Sequence, residues 1–396
     1  MTKKAYTELL ERGTSDSIGS DRLMERLLKG DKLRVKLGID PTSPHLHLGR
    51  SIPLLKLKDF QELGHQIVFI VGDFTGVIGD TSDKESERPM LNKEAIEENK
   101  KTYLEQVGKL IDLDKVEFKY NSEWLGKLTY HEVGEHADQF SVADFIARDN
   151  IRRRLDDGKR VSLREVLYPL MQGYDSVAVK ADVEIGGTDQ RFNLLAGRKL
   201  QEHYQQEPQS ILMNPLIPGL DGRKMSSSWG NTINLDDEPA DMYGKVMSLR
   251  DELIIDYFTF CTRHPLSKIE DMKDKLENGD THPRDAKMAL AYEIVSLYHG
   301  DTAAKDAKEA FVKTFQEKEI PTDIEEVKVG KGAPLVEALL GANLISSKSE
   351  WRRLVEGGGV HVVDGEDETV TDPNHVINKT TVLKLGKRRF VKITTD

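Results

Sequence analysis

Apolar and polar residues follow one another along the chain in blocks that predict strands, loops and helices in turn. The run LRVKLGI at 33–39 is short and apolar enough to be a buried strand, and SIPLLKLKDFQELG at 51–64 has the apolar spacing of a helix. The proline-containing segment between them predicts a loop. A second apolar run, IVFIV at 67–71, is followed by the glycine-containing GDFTGVIGD at 72–80. The first eighty residues therefore predict two buried strands, a helix between them and a loop after each strand.

The alternation of strand-like and helical segments continues to about residue 235. Charged helical sequence at 93–113 is followed by strand and loop sequence at 176–190, and then by the apolar run ILM at 211–213. From 236 the spacing of apolar residues is chiefly helical. Near the end of the chain, GVHVV and TVLKL alternate as short strands do. The pattern therefore predicts an α/β region, a helical region and a small α+β region in that order.

The length of the chain and this order of elements predict several domains. A chain of 396 residues exceeds the length that one hydrophobic core normally serves. We predict an α/β protein with a Rossmann-type parallel-sheet domain at 1–235, which includes a helical insertion. A helical domain should follow at 236–320, then a linker at 321–332 and a small α+β domain at 333–396.

Composition and charge narrow the class of protein and its partners. Hydrophobic residues make up 38% and charged residues 32%, as in globular proteins. Because no segment reads as a secretory signal or a membrane span, we expect a cytoplasmic protein without membrane contact. The single cysteine, Cys261, fits a reducing compartment. The net charge of −11 opposes indiscriminate binding to polyanions, but residues 333–396 carry nine basic and nine acidic residues, so any contact with nucleic acid must be local.

Two polar loops carry residues suited to binding a nucleotide. HLHLG at 45–49 follows the first predicted strand, at the strand end where ligands gather in an open parallel sheet. KMSSS at 224–228 places a lysine and three hydroxyl groups in a loop that can close over a triphosphate. Each motif alone is better explained as an ordinary surface turn. The pair together favours a nucleotide site.

The ordered motifs of this chain resemble those of the class I aminoacyl-tRNA synthetases, and more closely those of the tyrosyl-tRNA synthetase family. The matching segments are GIDPTSPHLHLG at 38–49, GDFTGVIGD at 72–80, YPLMQGYD at 168–175, GGTDQ at 186–190 and KMSSS at 224–228. Residues 344–363 with 386–393 look like the small RNA-binding module that ends many bacterial members. The resemblance implies a catalytic domain at 1–235, an anticodon-binding helical domain at 236–320 and an RNA-binding domain at 333–396.

The resemblance also implies the reaction and its substrates. L-Tyrosine and ATP would form tyrosyl-adenylate and pyrophosphate, and the tyrosyl group would then pass to the 3′ end of tRNA(Tyr). This chemistry needs alignment and charge neutralisation more than a protein nucleophile. ATP is expected as a substrate with Mg²⁺, without a metal site or tightly bound cofactor of the protein itself. The family further implies a homodimer.

Positions within the matching motifs assign residues to each substrate by resemblance. The residues expected to support catalysis are His47, Arg50, Lys224 and Ser227. The residues expected to contact ATP are Asp40, Thr42, His47, Gly49, Gly187, Asp189, Lys224, Met225 and Ser226. The residues expected around tyrosine are Lys36, Gly38, Thr75, Asp80, Tyr168, Gln172, Asp175 and Gln190. The residues expected to contact RNA are Lys348, Arg352, Arg353, Lys387, Arg388, Arg389 and Lys392.

Simpler explanations stay open for several of these residues. Tyr168 and Gln172 could form one face of a helix, Asp80 could cap a turn, and the terminal basic residues could be a solvated surface. In the family pattern Asp175 lies towards the phenol of tyrosine. Phenylalanine would leave that buried acceptor unpaired, so the resemblance implies that phenylalanine is rejected.

Three positions depart from the family pattern, and each is expected to touch a substrate. Arg50 replaces the histidine that usually ends the first signature, and Ser227 replaces the second lysine of the usual Lys-Met-Ser-Lys-Ser loop. Arg50, Arg223 or a bound cation could offset the charge lost at Ser227. Lys36 takes the place of a tyrosine, and it could pair with a carboxylate such as Asp175 or point elsewhere.

Two other functions compete with tyrosine activation. One is a related nucleotide-binding enzyme, either a small-molecule nucleotidyltransferase or a tryptophanyl enzyme, although YPLMQGYD and the terminal module disfavour both. The other is a synthetase-derived RNA-binding protein that has lost catalysis, which the departures at Arg50 and Ser227 keep open.

Overall fold

The structure, a computed structural model, describes residues 2–80, 93–315, 324–330, 332–342, 344–363, 368–377, 379–386 and 389–395. The chain divides into two compact units. The first unit is Met1–Asp237 with Ser248–Tyr298, and the second is Glu238–Met247 with His299–Asp396. Among the described residues, no helix combines the length and apolar character needed to cross a lipid bilayer.

The secondary structure of both units runs in the following order. The strands are β1 (Asp16–Ile18), β2 (Arg34–Ile39), β3 (Gln66–Val71), β4 (Val116–Tyr120), β5 (Val183–Gly187), β6 (Ser210–Asn214), β7 (Glu325–Val329), β8 (Ala333–Pro334), β9 (Val360–Val362), β10 (Glu368–Thr369), β11 (Val376–Ile377), β12 (Thr381–Leu385) and β13 (Arg389–Thr395). The helices are α1 (Lys3–Glu11), α2 (Ser20–Lys29), α3 (Leu48–Glu62), α4 (Thr75–Ile78), α5 (Lys93–Gly108), α6 (Ser122–Leu125), α7 (Tyr130–Asp138), α8 (Val142–Ile146), α9 (Asp149–Asp156), α10 (Leu163–Val179), α11 (Arg191–His203), α12 (Pro239–Met247), α13 (Ile254–Cys261), α14 (Leu266–Glu277), α15 (Pro283–His299), α16 (Asp301–Phe315), α17 (Leu335–Gly341) and α18 (Lys348–Glu356). Short 3₁₀ turns lie at Leu113–Lys115, Thr188–Gln190, Ser227–Trp229 and Asp251–Leu253.

The first unit is built on a sheet whose described strands lie in the order β1-β6-β5-β2-β3-β4. All neighbouring pairs are parallel except β1 with β6. β2 and β3 confirm the strands predicted at 33–39 and 67–71, and their apolar residues are almost completely buried, as in a sheet covered on both faces. From β2 the chain moves to β3 on one side, whereas β5 lies on the other side. This reversal creates a crevice beyond the carboxyl ends of β2 and β5, where ligands bind in such sheets.

Helix α10 brings the predicted YPLMQGYD segment against this sheet. A capping box starts the helix, because the side chains of Ser162 and Glu165 exchange hydrogen bonds with each other's backbone N–H groups. The helix continues through Pro169 and buries a face that includes Tyr168 and Asp175. Tyr168 and Gln172 therefore do share one helix, and the helix-face explanation holds for their placement.

The second unit contains a small sheet in the order β10-β9-β12-β13-β7. Leu335 of α17, Trp351 of α18 and alternate residues of β12 and β13 form its buried core. β7 pairs in parallel with β13, from Glu325 opposite Val391 to Val329 opposite Thr395. The segment predicted as a linker at 321–332 thus contributes an edge strand, which its charged sequence EEVKV did not suggest.

The compact units also differ from the domain limits predicted from sequence. Helices α13 and α14 and most of α15 belong to the first unit, whereas α12 and α16 belong to the second unit and pack on each other. Within residues 236–315 the structure is chiefly helical, as predicted. Its division between two units depends on packing, which periodicity does not report.

Candidate functional site

A cavity of about 890 Å³ opens in the first unit beyond the carboxyl ends of β2, β3 and β5. The residues predicted from sequence that line it are Gly38, Asp40, Thr42, His47, Gly49, Arg50, Thr75, Asp80, Tyr168, Gln172, Asp175, Gly187, Asp189, Gln190, Lys224, Met225, Ser226 and Ser227. Lys36 lies beneath the cavity instead, completely buried on β2. The fold therefore brings together residues that are up to 189 positions apart in sequence, from Gly38 to Ser227.

One part of the cavity is acidic, and Tyr168 lies at its centre. The Tyr168 hydroxyl donates to Asp40 Oδ2 at 2.9 Å, and the Thr75 hydroxyl donates to Asp40 Oδ1 at 2.7 Å. Burial and then the charges of Asp40, Asp80 and Asp175 raise the pKa of Tyr168 well above its usual range. We call these three carboxylates the acidic cluster.

Gly72 allows the acidic cluster to pack this closely. A Cβ atom at this position would lie 2.0 Å from Asp40 Oδ1 and 2.4 Å from the Thr75 hydroxyl oxygen. Any other residue would displace one of the two groups. Gly72 of the GDFTGVIGD motif is therefore needed for the close approach of two loops, one after β2 and one after β3.

Asp175 is the most deeply buried carboxylate of the acidic cluster. Its oxygens accept from the Trp124 indole N–H at 2.8 Å and from Asn121 Nδ2 at 3.3 Å. Burial raises the pKa of Asp175 to about 7, although the positive charge of Lys36 and these hydrogen bonds act to lower it. Asn121 also donates to the Thr75 hydroxyl at 2.8 Å, so it joins Asp175 to the loop after β3.

Lys36 forms an ion pair with Glu184 and not with Asp175. Its Nζ atom lies 2.9 Å from Glu184 Oε1, and it also donates to the Ser176 hydroxyl at 2.7 Å and to the Gln172 carbonyl at 3.0 Å. Glu184 in turn accepts from the side-chain amide of Gln172 at 3.2 Å. The alternative of a direct pair with Asp175 is thus excluded by the hydrogen-bond geometry.

The opposite part of the cavity is basic. Arg50 donates from Nη1 to the Tyr103 hydroxyl at 2.6 Å and from Nη2 to the Thr42 hydroxyl at 3.4 Å. Lys224 reaches Asp189 Oδ2 at 2.9 Å. Burial, followed by the charges of Arg50 and Lys224, lowers the pKa of His47 to about 3, so its ring is neutral at pH 7. We call Arg50, Lys224 and the neutral His47 the basic cluster.

The side chain of Asn231 forms hydrogen bonds with the KMSSS loop on both sides of Met225. Asn231 donates from Nδ2 to the Lys224 carbonyl at 3.1 Å, and its Oδ1 accepts from the Ser226 N–H at 2.9 Å. Met225 is buried, and its sulfur accepts from the Gly49 N–H at 3.4 Å. Ser227, by contrast, is exposed at the cavity edge. The loop therefore contacts the HLHLG segment through Met225, while Ser227 and Ser228 are exposed.

Sequence reasoning missed several residues that build this site. Asn121 follows β4 and Trp124 lies in α6, but the alternating run VEFKY before them was not recognised as a strand. Glu184 lies within β5, a strand that the sequence did predict. A carboxylate in an otherwise apolar strand could have indicated a buried polar partner. Asn231 lies in a polar loop where an asparagine attracts no notice.

The predicted RNA-contacting residues belong to the second unit. Arg352 and Arg353 are exposed on α18, and Arg389 is exposed at the start of β13. Lys348 pairs with Glu337 at 2.6 Å, and Lys392 pairs with Glu326. The two remaining predictions, Lys387 and Arg388, lie outside the described residues.

In the part of the chain that the structure describes, no group of three or more His, Cys, Asp or Glu residues is arranged to hold a metal ion. Cys261 is buried, and burial raises the pKa of its thiol far above the usual range. A packing role explains this cysteine.

Comparison with known proteins assigns the family. Residues 28–316 match the family model described as tRNA synthetases class I (W and Y). The chain is 46% identical to the tyrosine--tRNA ligase of Thermotoga maritima over 100% of this chain and 98% of that protein, and 45% identical to the tyrosine--tRNA ligase of Carboxydothermus hydrogenoformans over 98% of each. The fold is similar to that of the tyrosyl-tRNA synthetase from Archaeoglobus fulgidus, with a TM-score of 0.63, 23% identity and coverage of 78% of this chain and 100% of that one. The chain belongs to the class I tRNA synthetase family of the tryptophan and tyrosine type.

Proposed function

We propose that this chain activates L-tyrosine with ATP and transfers it to the 3′ end of tRNA(Tyr). The observation that carries this proposal is a cavity that combines the acidic cluster with the basic cluster. An amino acid brings an ammonium group that carboxylates bind, and ATP brings phosphates that cations bind. Full-length similarity to tyrosine--tRNA ligases supports tyrosine as the amino acid.

The first step is a displacement at phosphorus that the basic cluster can assist. A carboxylate oxygen of tyrosine attacks the α-phosphorus of ATP, and the bond to the leaving pyrophosphate breaks as the mixed anhydride forms. Negative charge grows on the pyrophosphate, so Lys224 and Arg50 stabilise the transition state, with Thr42, Ser226 and Ser227 as neutral donors. His47 is neutral, so it contributes a hydrogen bond and not a charge.

The nucleotide occupies the strand ends that carry small and polar residues. Gly49 and Gly187 leave room for ATP, and Asp40 and Asp189 offer acceptors to its sugar or to the adenylate. Met225 keeps the KMSSS loop beside Gly49. Mg²⁺ enters bound to the phosphates of ATP as part of the substrate, because phosphate oxygens and water supply most of its usual ligands.

Tyrosine occupies the acidic part of the cavity. Asp80, Tyr168 and Gln172 bind its ammonium group, and Gly38, Thr75 and Gln190 line the space beside it. Asp175 accepts the phenolic hydrogen bond. Phenylalanine fills the same space without a donor, so it leaves a buried acceptor without its partner, which costs about 1–3 kcal/mol or more for a charged group.

Transfer to tRNA involves the second unit in this proposal. Arg352, Arg353 and Arg389 provide exposed positive charge in a region that is neutral overall, and Lys348 and Lys392 can exchange their carboxylate partners for phosphates. The helices between 236 and 320 are proposed to contact the anticodon arm. A cytoplasmic location is part of this proposal.

A homodimer is the proposed assembly, and the segment 130–163 supports it. Several large apolar side chains in this segment are exposed: Tyr130, Val142, Ile146, Leu155 and Leu163. A contiguous exposed apolar patch marks an association surface, and we propose that these side chains contribute to one. Replacing Val142 and Leu163 by lysine should convert a dimer to a monomer in sedimentation analysis. A protein that is monomeric before substitution would contradict this part of the proposal.

Exchange of labelled pyrophosphate into ATP tests the activation step directly. We expect exchange that depends on L-tyrosine and is not supported by L-tryptophan or L-phenylalanine at matched concentrations. Exchange with tryptophan would assign the chain to the other branch of its family. Absence of exchange with every amino acid, combined with retained tRNA binding, would favour the RNA-binding alternative.

A further inference from the structure

A completely buried ion pair lies directly beneath the acidic part of the cavity. Lys36 on β2 and Glu184 on β5 are neighbours in the parallel register, and their side chains are 0% and 1% exposed. Replacing a buried ion pair by apolar residues of similar volume is often neutral or stabilising. Stability alone therefore does not explain why a lysine and a glutamate occupy these two strand positions.

The pair is bound to two residues of α10 and to Gln209, which directly precedes β6. Lys36 donates to the Ser176 hydroxyl and to the Gln172 carbonyl, and it forms the ion pair with Glu184. Glu184 Oε2 accepts from the Ser176 hydroxyl at 3.0 Å and from Gln209. Lys36 thereby ties the sheet to two successive turns of α10, the helix that also carries Asp175.

Glu184 determines which way the Gln172 amide faces. A carboxylate only accepts hydrogen bonds, so the amide nitrogen of Gln172 points towards Glu184, at 3.2 Å. The amide oxygen points the other way and accepts from Asn193 Nδ2 at 3.1 Å. An amide oxygen has a second lone pair. Gln172 lines the cavity, so this lone pair is available to an ammonium group there.

We propose that Lys36 and Glu184 are positioning residues for the amino-acid substrate: Glu184 holds the Gln172 amide with its oxygen available to the substrate ammonium, and Lys36 neutralises Glu184 while anchoring α10. This inference rests on the proposed function. It places a specificity element below the cavity, in residues that do not touch the substrate. It gives Lys36 an indirect role in tyrosine binding, from beneath the cavity lining.

The experiment compares two matched substitutions of buried, ion-paired glutamates. Glu184→Gln removes the charge beside Gln172 and permits the flipped amide, because glutamine both donates and accepts. Glu165→Gln is the control, since Glu165 pairs with Arg154 at 2.6 Å and is equally buried but does not contact Gln172. Each variant is assayed by pyrophosphate exchange for the KM of tyrosine and the KM of ATP. The inhibition constant of 3-(4-hydroxyphenyl)propanoate, which lacks the ammonium group, is measured in parallel.

Glu184→Gln should raise the KM of tyrosine about tenfold, the value of one hydrogen bond to a charged group. The KM of ATP and the inhibition constant of the desamino compound should stay within about twofold, because neither ligand uses the Gln172 oxygen. Glu165→Gln should leave all three values within about twofold. Equal effects of the two substitutions on the KM of tyrosine would overturn the proposal, as would a parallel weakening of the desamino compound.

A milder variant keeps the test informative if Glu184→Gln does not fold. Ser176→Ala removes the hydroxyl that links Lys36 to Glu184 without a change of charge. We expect a two- to threefold rise in the KM of tyrosine from a loosened Gln172, on the order of a weak hydrogen bond. An unchanged KM in a folded Ser176→Ala protein would count against the positioning role. Tyrosine-dependent exchange by the unaltered protein tests the proposed function separately.

Discussion

The acidic and basic parts of the cavity hold their charged groups in different ways. Asp175 is 3% exposed and accepts hydrogen bonds from α6 and from the residue after β4, whereas the Lys224 side chain is 28% exposed and lies in a loop. The first arrangement is buried and preformed, whereas the second is partly open to solvent. Recognition of a small amino acid depends on fixed geometry, whereas a partly exposed cation on a long side chain can adjust to the phosphates once ATP is bound.

The departures from the family pattern divide between these two parts. Arg50 and Ser227 border the open, basic part, and Lys36 lies under the closed, acidic part. A charge lost from an exposed loop can be replaced by another cation that reaches the same phosphates, and Arg50 is placed to do so. A lysine in the buried part needs a complete set of partners, and Glu184 with Ser176 supplies it.

The largest effect is expected from removing the positive charge of Lys224 in the KMSSS loop. Lys224→Ala should lower kcat for pyrophosphate exchange by about 10²–10³, because one stabilising contact to the developing charge is lost. Tyrosine binding, measured by calorimetry, should change little, since the acidic part is left intact. Lys127→Ala, at an exposed lysine of the same unit, is the control. A comparable loss of tyrosine affinity would show that the two parts of the cavity are not independent.

The next largest effect is expected from removing the charge of Asp175, the buried acceptor proposed for the phenol of tyrosine. Asp175→Asn should reduce the ratio of kcat/KM for tyrosine over phenylalanine by about 10- to 100-fold, the value of a charge-assisted hydrogen bond. The KM of ATP should be retained. The ratio is obtained from exchange assays with each amino acid. A variant that discriminates as well as the original protein would remove Asp175 from phenol recognition.

The pH dependence of tyrosine use should follow the same carboxyl group. Burial raises the pKa of Asp175 to about 7, and the groups that face it are Lys36, Glu184, Asn121 and Trp124. Below that pH the carboxyl is protonated, so kcat/KM for tyrosine should fall by up to about tenfold for each unit. His47 cannot cause this change, because its pKa is about 3. The profile should flatten in Asp175→Asn, and a persisting slope near pH 7 would point to another group.

The raised pKa of Asp175 makes the stability of the folded protein depend on pH. The folded-state pKa of Asp175 is raised, so the folded protein binds the proton more tightly than the unfolded chain. Stability from this group is present at low pH and is lost as the pH rises from about 4 to about 7. Asp175→Asn should therefore raise the Tm more at pH 8 than at pH 4, as measured by calorimetric scans.

The smallest effect is expected from substitutions in the second unit. Arg352→Ala with Arg353→Ala should raise the KM of tRNA about three- to fivefold and leave pyrophosphate exchange unchanged, because exposed charges act additively on phosphate. The salt dependence of tRNA binding should also decrease, by about one unit of slope for each arginine. Lys379→Ala provides the matched control at an exposed lysine of the same region. An unchanged salt slope would favour a merely solvated surface.

Much of the sheet could be predicted because its buried strands are short apolar runs. β2, β3 and β6 stand out from their polar flanks, and the loops after β2 and β3 carry the motif residues that line the cavity. β4 and β7 escaped prediction, since VEFKY and EEVKV are rich in charge. β7 becomes a strand only because β13, more than sixty residues later, offers it an edge.

The sequence by itself determined the order of the motifs and the strands β2 and β3 before two of them, because each motif is a local run of residues. The assignment of motif residues to ATP and tyrosine follows from the family resemblance and stays a prediction. The tertiary structure alone decided the partner of Lys36, since Glu184 is distant in sequence and becomes its neighbour through parallel pairing of β2 with β5. It also decided which charges are buried, and hence the pKa of Asp175 and the neutral state of His47. Desolvation and long-range pairing are properties of packed chains, and residue order alone does not express them.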